Sequence, residues 1–138
     1  MEREQIEMEK VFISGSRSIT YCQDVATVIR RMKENGNEVL VGDCYGLDSL
    51  VRKECIRQGV KCTVYYIGRR RDNDPLPGKQ IPGNFFSDKD KAMARDCDKA
   101  VAIWDGRSNG TKNNVETMKR LGKKMIIIDK SVNEIRVV

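Results

Sequence analysis

The strongest constraint on this chain is a repeated switch in hydrophobic period. Strand-length apolar runs alternate with segments whose apolar residues recur at helical spacing. Lys10–Ser14 (KVFIS) reads as a first strand. Thr20–Lys33 reads as a helix, because Val25, Val28, Ile29 and Met32 fall at i, i+3, i+4 and i+7, and Asn35-Gly36 stops it. Glu38–Val41 is a second strand. Leu47, Leu50, Val51 and Cys55 form the stripe of a second helix, which Gly59 ends. Lys61–Ile67 is a third strand. Ser87–Cys97 is predicted as a third helix, with Ser87 as N-cap and Asp90 in the capping-box position. Ala100–Trp104 (AVAIW) is a fourth strand, Thr111–Leu121 a fourth helix and Lys124–Ile128 a fifth strand, with Glu134–Val138 a candidate sixth.

Strands joined through helices require right-handed crossovers and a mainly parallel sheet. The unbroken apolar runs AVAIW and MIII suit central strands covered on both faces. The expected architecture is therefore α/β: a Rossmann-like, doubly wound three-layer sandwich with five or six strands. At 138 residues the chain fits one domain, and it carries no internal repeat. One stretch breaks the rhythm. The segment 68–86 (GRRRDNDPLPGKQIPGNFF) has neither helical nor strand periodicity and holds Pro75, Pro77 and Pro82. A loop of this length is either a functional lid or a mobile insertion. Phe85-Phe86 either anchors its far end in the core or offers a ring to a bound base.

Composition excludes several function classes. There is no histidine, so Ser-His-Asp or Cys-His catalysis, histidine metal sites and imidazole proton shuttles are ruled out. The five cysteines (Cys22, Cys44, Cys55, Cys62 and Cys97) are odd in number and irregularly spaced, with no CxxC. They read as reduced thiols, and no metal or resident cofactor is expected. The longest apolar runs fall far short of the ~18–20 residues that cross a bilayer. The opening MEREQIEMEK has no apolar leader core. The expected location is cytoplasmic, away from membranes. A net charge of +6 favours anionic partners, and its densest basic run is Arg69-Arg70-Arg71.

Ligands of open α/β sheets sit outside the carboxyl ends of the strands, where the strand order reverses. In a 3-2-1-4-5 order that point lies between the first and fourth strands. The loop after the first strand is Gly15-Ser16-Arg17-Ser18. Gly15 admits close backbone approach, Ser16 offers a hydroxyl and an amide, and Arg17 offers a fork for phosphate. The bland alternative is a tight turn with a solvated arginine. The loop after the fourth strand is Asp105-Gly106-Arg107-Ser108-Asn109-Gly110-Thr111. It is either a helix N-terminus that receives an anion on its amides or a glycine-rich connector. After the second strand comes Gly42-Asp43-Cys44-Tyr45-Gly46-Leu47-Asp48, where Gly46 permits close approach. Asp48 either accepts from a ribose hydroxyl or satisfies its helix N-terminus. GxGxxG and GxxxxGK[ST] are both absent, which argues against a conventional NAD dehydrogenase or P-loop NTPase.

Taken together, GSR after the first strand, G-x-x-x-G-L-D after the second and W-D-G-x-S-x-G-T before a helix resemble the SLOG superfamily. That superfamily includes DNA-processing proteins, cytokinin-activating phosphoribohydrolases and small single-domain members, which this chain resembles most. The resemblance covers about residues 10–128. It implies a nucleotide-binding domain with phosphate held by Ser16, Arg17, Ser108, Gly110 and Thr111. It implies a ribose-side or base-side role for Gly46, Asp48 and Asp105. It leaves a homodimer open, since related domains pair through helices. The phosphoribohydrolases carry a Glu three residues after the Gly-Thr threonine, and here that position is Asn114. An amide supplies neither negative charge nor a base. Glu116 lies about 200° around the helix from it.

Three functions follow in order. The first is binding or sensing of a nucleoside phosphate or ADP-ribose-like ligand. The second is cleavage of an N-glycosidic bond, with Asp43, Asp48 and Asp105 as candidate carboxylates. The third is DNA binding, ranked last because no aromatic-interleaved basic stripe is present.

Overall fold

The computed structural model describes residues 8–138, so residues 1–7 of the opening MEREQIEMEK, expected to hold no apolar leader core, lie outside the described residues. The elements in chain order are β1 (Lys10–Gly15), α1 (Asp24–Asn35), β2 (Glu38–Gly42), α2 (Leu47–Gln58), β3 (Cys62–Ile67), β4 (Gly78–Ile81), α3 (Phe86–Asp96), β5 (Lys99–Trp104), α4 (Asn109–Arg120), β6 (Met125–Asp129) and β7 (Glu134–Val137). They form one sheet in the order β4-β3-β2-β1-β5-β6-β7. Every pairing is parallel except β6 with β7. The order reverses between β1 and β5, as the 3-2-1-4-5 expectation required.

Alternation along the strands builds two cores. Val11, Ile13, Val39, Val41, Val101 and Ile103 face α1 and α2, where Val25, Ile29, Leu47 and Val51 meet them. Phe12, Leu40, Ala100 and Ala102 face the other side and meet Met93 of α3 and Met118 of α4. Both faces of the sheet are thus covered, which accounts for the unbroken apolar runs.

Three expectations are corrected. The sheet has seven strands rather than five or six, because the 68–86 segment contributes β4. Only Ile81 of its four residues is buried, so this edge strand is held by backbone pairing with β3 and leaves no hydrophobic period to read. α1 begins at Asp24 rather than Thr20. α3 begins at Phe86, and Asp88 rather than Asp90 caps it: its carboxylate accepts the Asn84 and Phe85 N–H groups at 3.2 and 3.1 Å. That frees Asp90 for another role.

The 68–86 segment is tied to the fold through arginines. Arg70 forks onto Asp72 at 2.6 and 2.9 Å and donates to the Leu76 and Asp74 carbonyls. Arg52 of α2 is 4% exposed. It donates to Asp74 at 2.7 Å and to the carbonyls of Gly42 and Cys44 at 2.8 and 2.7 Å. One buried guanidinium therefore fixes both the loop after β2 and the long segment. Removing one partner of a buried charge pair leaves the rest uncompensated. Arg52→Met is expected to lower unfolding free energy by about 3 kcal/mol in urea titration and to open the 69–77 stretch to protease.

Candidate functional site

At the carboxyl end of the sheet, on the α3 and α4 side of β1, lies a cleft of about 360 Å³. Gly15, Ser16, Arg17, Asp48, Ser108, Gly110, Thr111 and Asn114 all line it, so eight of the residues singled out from sequence converge on one cavity. Asp43, Gly46, Asp105 and Gly106 stand outside its lining and act on the loops around it.

The two switch-point loops are sewn together. Ser16 continues the β1–β5 pairing by donating its N–H to the Ile103 carbonyl at 3.2 Å, and its hydroxyl accepts the Asp105 N–H at 3.0 Å. Asp105 accepts the N–H groups of Arg107 and Ser108, both at 2.8 Å, and the hydroxyls of Ser108 and Ser18. Burial works against this carboxylate's charge, but these donors outweigh it and hold Asp105 well below the usual range. Its oxygens are committed to shaping the turn into α4. Gly46 (φ 75°) lies against the Arg17 backbone, where a Cβ would collide. Gly106 (φ 84°) turns the chain beside Ser131.

The start of α4 is left open. No side chain caps it, and its first turn carries no acidic residue. Its first amides therefore lack intrahelical acceptors. Thr111 is 2% exposed, and its hydroxyl has no hydrogen-bond partner. A buried hydroxyl without a partner is costly. Thr111 is itself one of the residues that line the cleft beside the free helix start.

The opposite wall holds charge. Lys89 is 3% exposed, with its ammonium 3.1 Å from Cys44 Sγ and 3.6 Å from Asp43. Arg71 donates its backbone N–H and guanidinium to Asp43 and also reaches Cys44 Sγ at 3.0 Å. Burial opposes the charge of Asp43, but Arg71 and then Lys89 lower its pKa, so Asp43 is an ionised structural counterion. Arg70 and Arg71 of the tri-arginine run are thus committed to carboxylates. Arg17, by contrast, forms no salt bridge among the described residues.

Two further carboxyls meet the cavity. Asp48 is raised to about 7, by burial and then by the charge of Asp90. Gly42 makes room for it: a Cβ there would press on the Asp48 carboxylate and the Lys89 stem. Asp90 is raised by burial. Asn114 donates to Ser14 Oγ at 2.8 Å and reaches Asp90 at 3.4 Å. Cys44 and Asp90 were named from the sequence without a site role, and Lys89 was not singled out. Their cue was faint: Cys44 falls two residues past the end of β2, and Lys89 and Asp90 sit one turn into a helix whose cap was misplaced.

The described residues contain no cluster of three or more acidic or cysteine side chains able to hold a metal ion. No helix among them is long and apolar enough to cross a membrane. All five cysteines are free. Comparison with known protein-family models finds no match, and comparison with curated proteins finds no significant match.

The Asp48 shift gives stability a defined pH dependence. Below about pH 4 its carboxyl is protonated in both folded and unfolded chains. Between pH 4 and about 7 the unfolded chain ionises while the folded one resists, so stability falls as pH rises through that window. Asp48→Asn removes the penalty. The variant is expected to match the parent near pH 4 and to exceed it by roughly 2 kcal/mol at pH 8 in denaturant titration.

Proposed function

We propose that the protein binds a nucleotide-derived ligand, with its phosphate against the first turn of α4 and Arg17. The observation that carries this is the buried Thr111 hydroxyl without a partner, on a residue of the cleft lining beside free helix amides. A phosphate oxygen placed there accepts from that hydroxyl and from the amides of Gly110 and Thr111. Arg17, unpaired among the described residues, supplies the counter-charge. The loop order also agrees with the resemblance to the SLOG superfamily. A nucleotide ligand and five free thiols both suit a reducing, cytoplasmic setting.

A second reading, cleavage of an N-glycosidic bond, is favoured by one observation. Asn114 stands where the resembling hydrolases carry Glu, but the Asp90 carboxyl lies 3.4 Å from its amide. A carboxyl from α3 thus reaches the region that α4 leaves neutral, with Asp48 on the facing helix as a second proton-holding group. On this reading Asp48 and Asp90 replace Asp43 and Asp105 as the working pair. Chromatography of nucleoside monophosphates incubated with the protein should detect free base, and Asp48→Asn and Asp90→Asn should each abolish it. Undiminished release in both variants contradicts the assignment.

Thr111→Val tests the binding reading directly. It removes the hydroxyl at nearly constant shape. The ligand-free protein is expected to gain about 1 kcal/mol, since an unsatisfied polar group is lost. Affinity for nucleoside monophosphates is expected to fall about tenfold. Arg17→Ala should weaken binding without the stability gain. Thermal shift with and without nucleotide separates the two effects, and a Thr111→Val protein that binds as tightly as the parent contradicts the reading.

A further inference from the structure

Two aromatic rings flank the mouth of the cleft. Tyr45, on the loop after β2, is 67% exposed, and Phe86, at the start of α3, is 52% exposed. Both line the same cavity as Thr111. Neither serves a core, and rings of this size usually find cover. Between them lies Arg17, with its guanidinium carbon 5.7 Å from the Tyr45 centroid and 5.9 Å from that of Phe86. The other nearby cations differ from it. Arg71, 4.2 Å from the Phe86 ring, and Lys89, 5.3 Å from it, are both anchored on Asp43. Arg17's closest side-chain bond is a long 3.7 Å contact to Cys44 Sγ. A flat cation without a carboxylate partner among the described residues thus lies close to two exposed rings.

We propose that Tyr45 and Phe86 are the walls of a stacking slot for the heteroaromatic base of a nucleoside monophosphate, and that Arg17 occupies this slot while the site is empty. The inference rests on the nucleotide reading above and deepens it. A planar guanidinium satisfies ring faces as a base does, and a base stack is the stronger contact at an exposed site. When the ligand enters, its phosphate draws the guanidinium toward the start of α4 and the base takes the vacated place. One side chain thereby couples the two halves of recognition: the anion opens the slot that the base fills. The cleft volume lies near the lower end for small-molecule sites, which fits one nucleoside monophosphate rather than a dinucleotide.

The test is calorimetric titration with adenosine monophosphate, uridine monophosphate, ribose 5-phosphate and adenosine. The parent protein is expected to bind the two nucleotides about tenfold more tightly than ribose 5-phosphate. Tyr45→Ala and Phe86→Ala should each remove most of that advantage while binding ribose 5-phosphate at least as tightly as the parent does, and Phe86→Trp should restore it. Both residues are exposed, so the variants should keep the parental melting temperature. Arg17→Ala should weaken adenosine monophosphate but bind adenosine at least as tightly as the parent does. Equal affinity for nucleotides and ribose 5-phosphate overturns the slot and leaves the phosphate site standing. Weaker adenosine binding by Arg17→Ala overturns the placeholder role. Absence of binding by any of the phosphates overturns the nucleotide reading and the slot together.

Discussion

The site depends on the parallel pairing of β1 with β5, which runs from Val11↔Lys99 to Gly15↔Ile103 and is carried one step further by Ser16. These strands are far apart in sequence, and their crossovers leave in opposite directions across the sheet. Their carboxyl ends therefore part and leave a crevice between the following loops. Ser16, 1% exposed, keeps that crevice from splaying by joining its hydroxyl to the Asp105 amide. Asp105 then sets the turn into α4. The open helix start, the unpartnered Thr111 and the placement of Arg17 all follow from that joint.

Electrostatics divides the cleft into a settled part and a poised part. Asp43 is shared between Arg71 and Lys89, which leaves one positive charge in excess and fixes the wall that carries Cys44. Arg17 has no carboxylate to settle on among the described residues, and Asp48 and Asp90 hold their protons more tightly than surface acids do. A site without histidine thus keeps one titratable group, Asp48, near neutrality by burying a carboxyl. The same burial costs stability, as expected where a fold holds groups for binding or chemistry rather than for packing.

Periodicity revealed the architecture where apolar residues carried it. The five inner strands were legible as short apolar runs and α1 and α2 as Val, Ile and Leu at helical spacing, and Gly36 and Gly59 end those two helices as read, in left-handed caps. β4 was not legible, because an edge strand with one buried residue is made by backbone hydrogen bonds. The wall of the cleft built from the loops after β1 and β5 was legible because glycine and hydroxyl residues cluster there locally. The opposite wall was not. Lys89 and Asp90 act through contacts with Cys44 and Asn114, many residues distant in sequence, and misplacing the α3 cap by two residues gave Asp90 a local role that Asp88 fills. Asp105 and Gly46 were legible as unusual, but proximity to a ligand loop did not separate residues that line the cleft from residues that shape it.

The central claim is that an anionic group of a nucleotide seats on the first turn of α4. Amide chemical shifts followed during titration with adenosine monophosphate test it most directly. The Gly110 and Thr111 amides are expected to move furthest, together with the Arg17 side-chain N–H, and ribose 5-phosphate is expected to move the same backbone amides. Shifts that centre elsewhere, or amides at Gly110 and Thr111 that stay in place at saturating ligand, would contradict it.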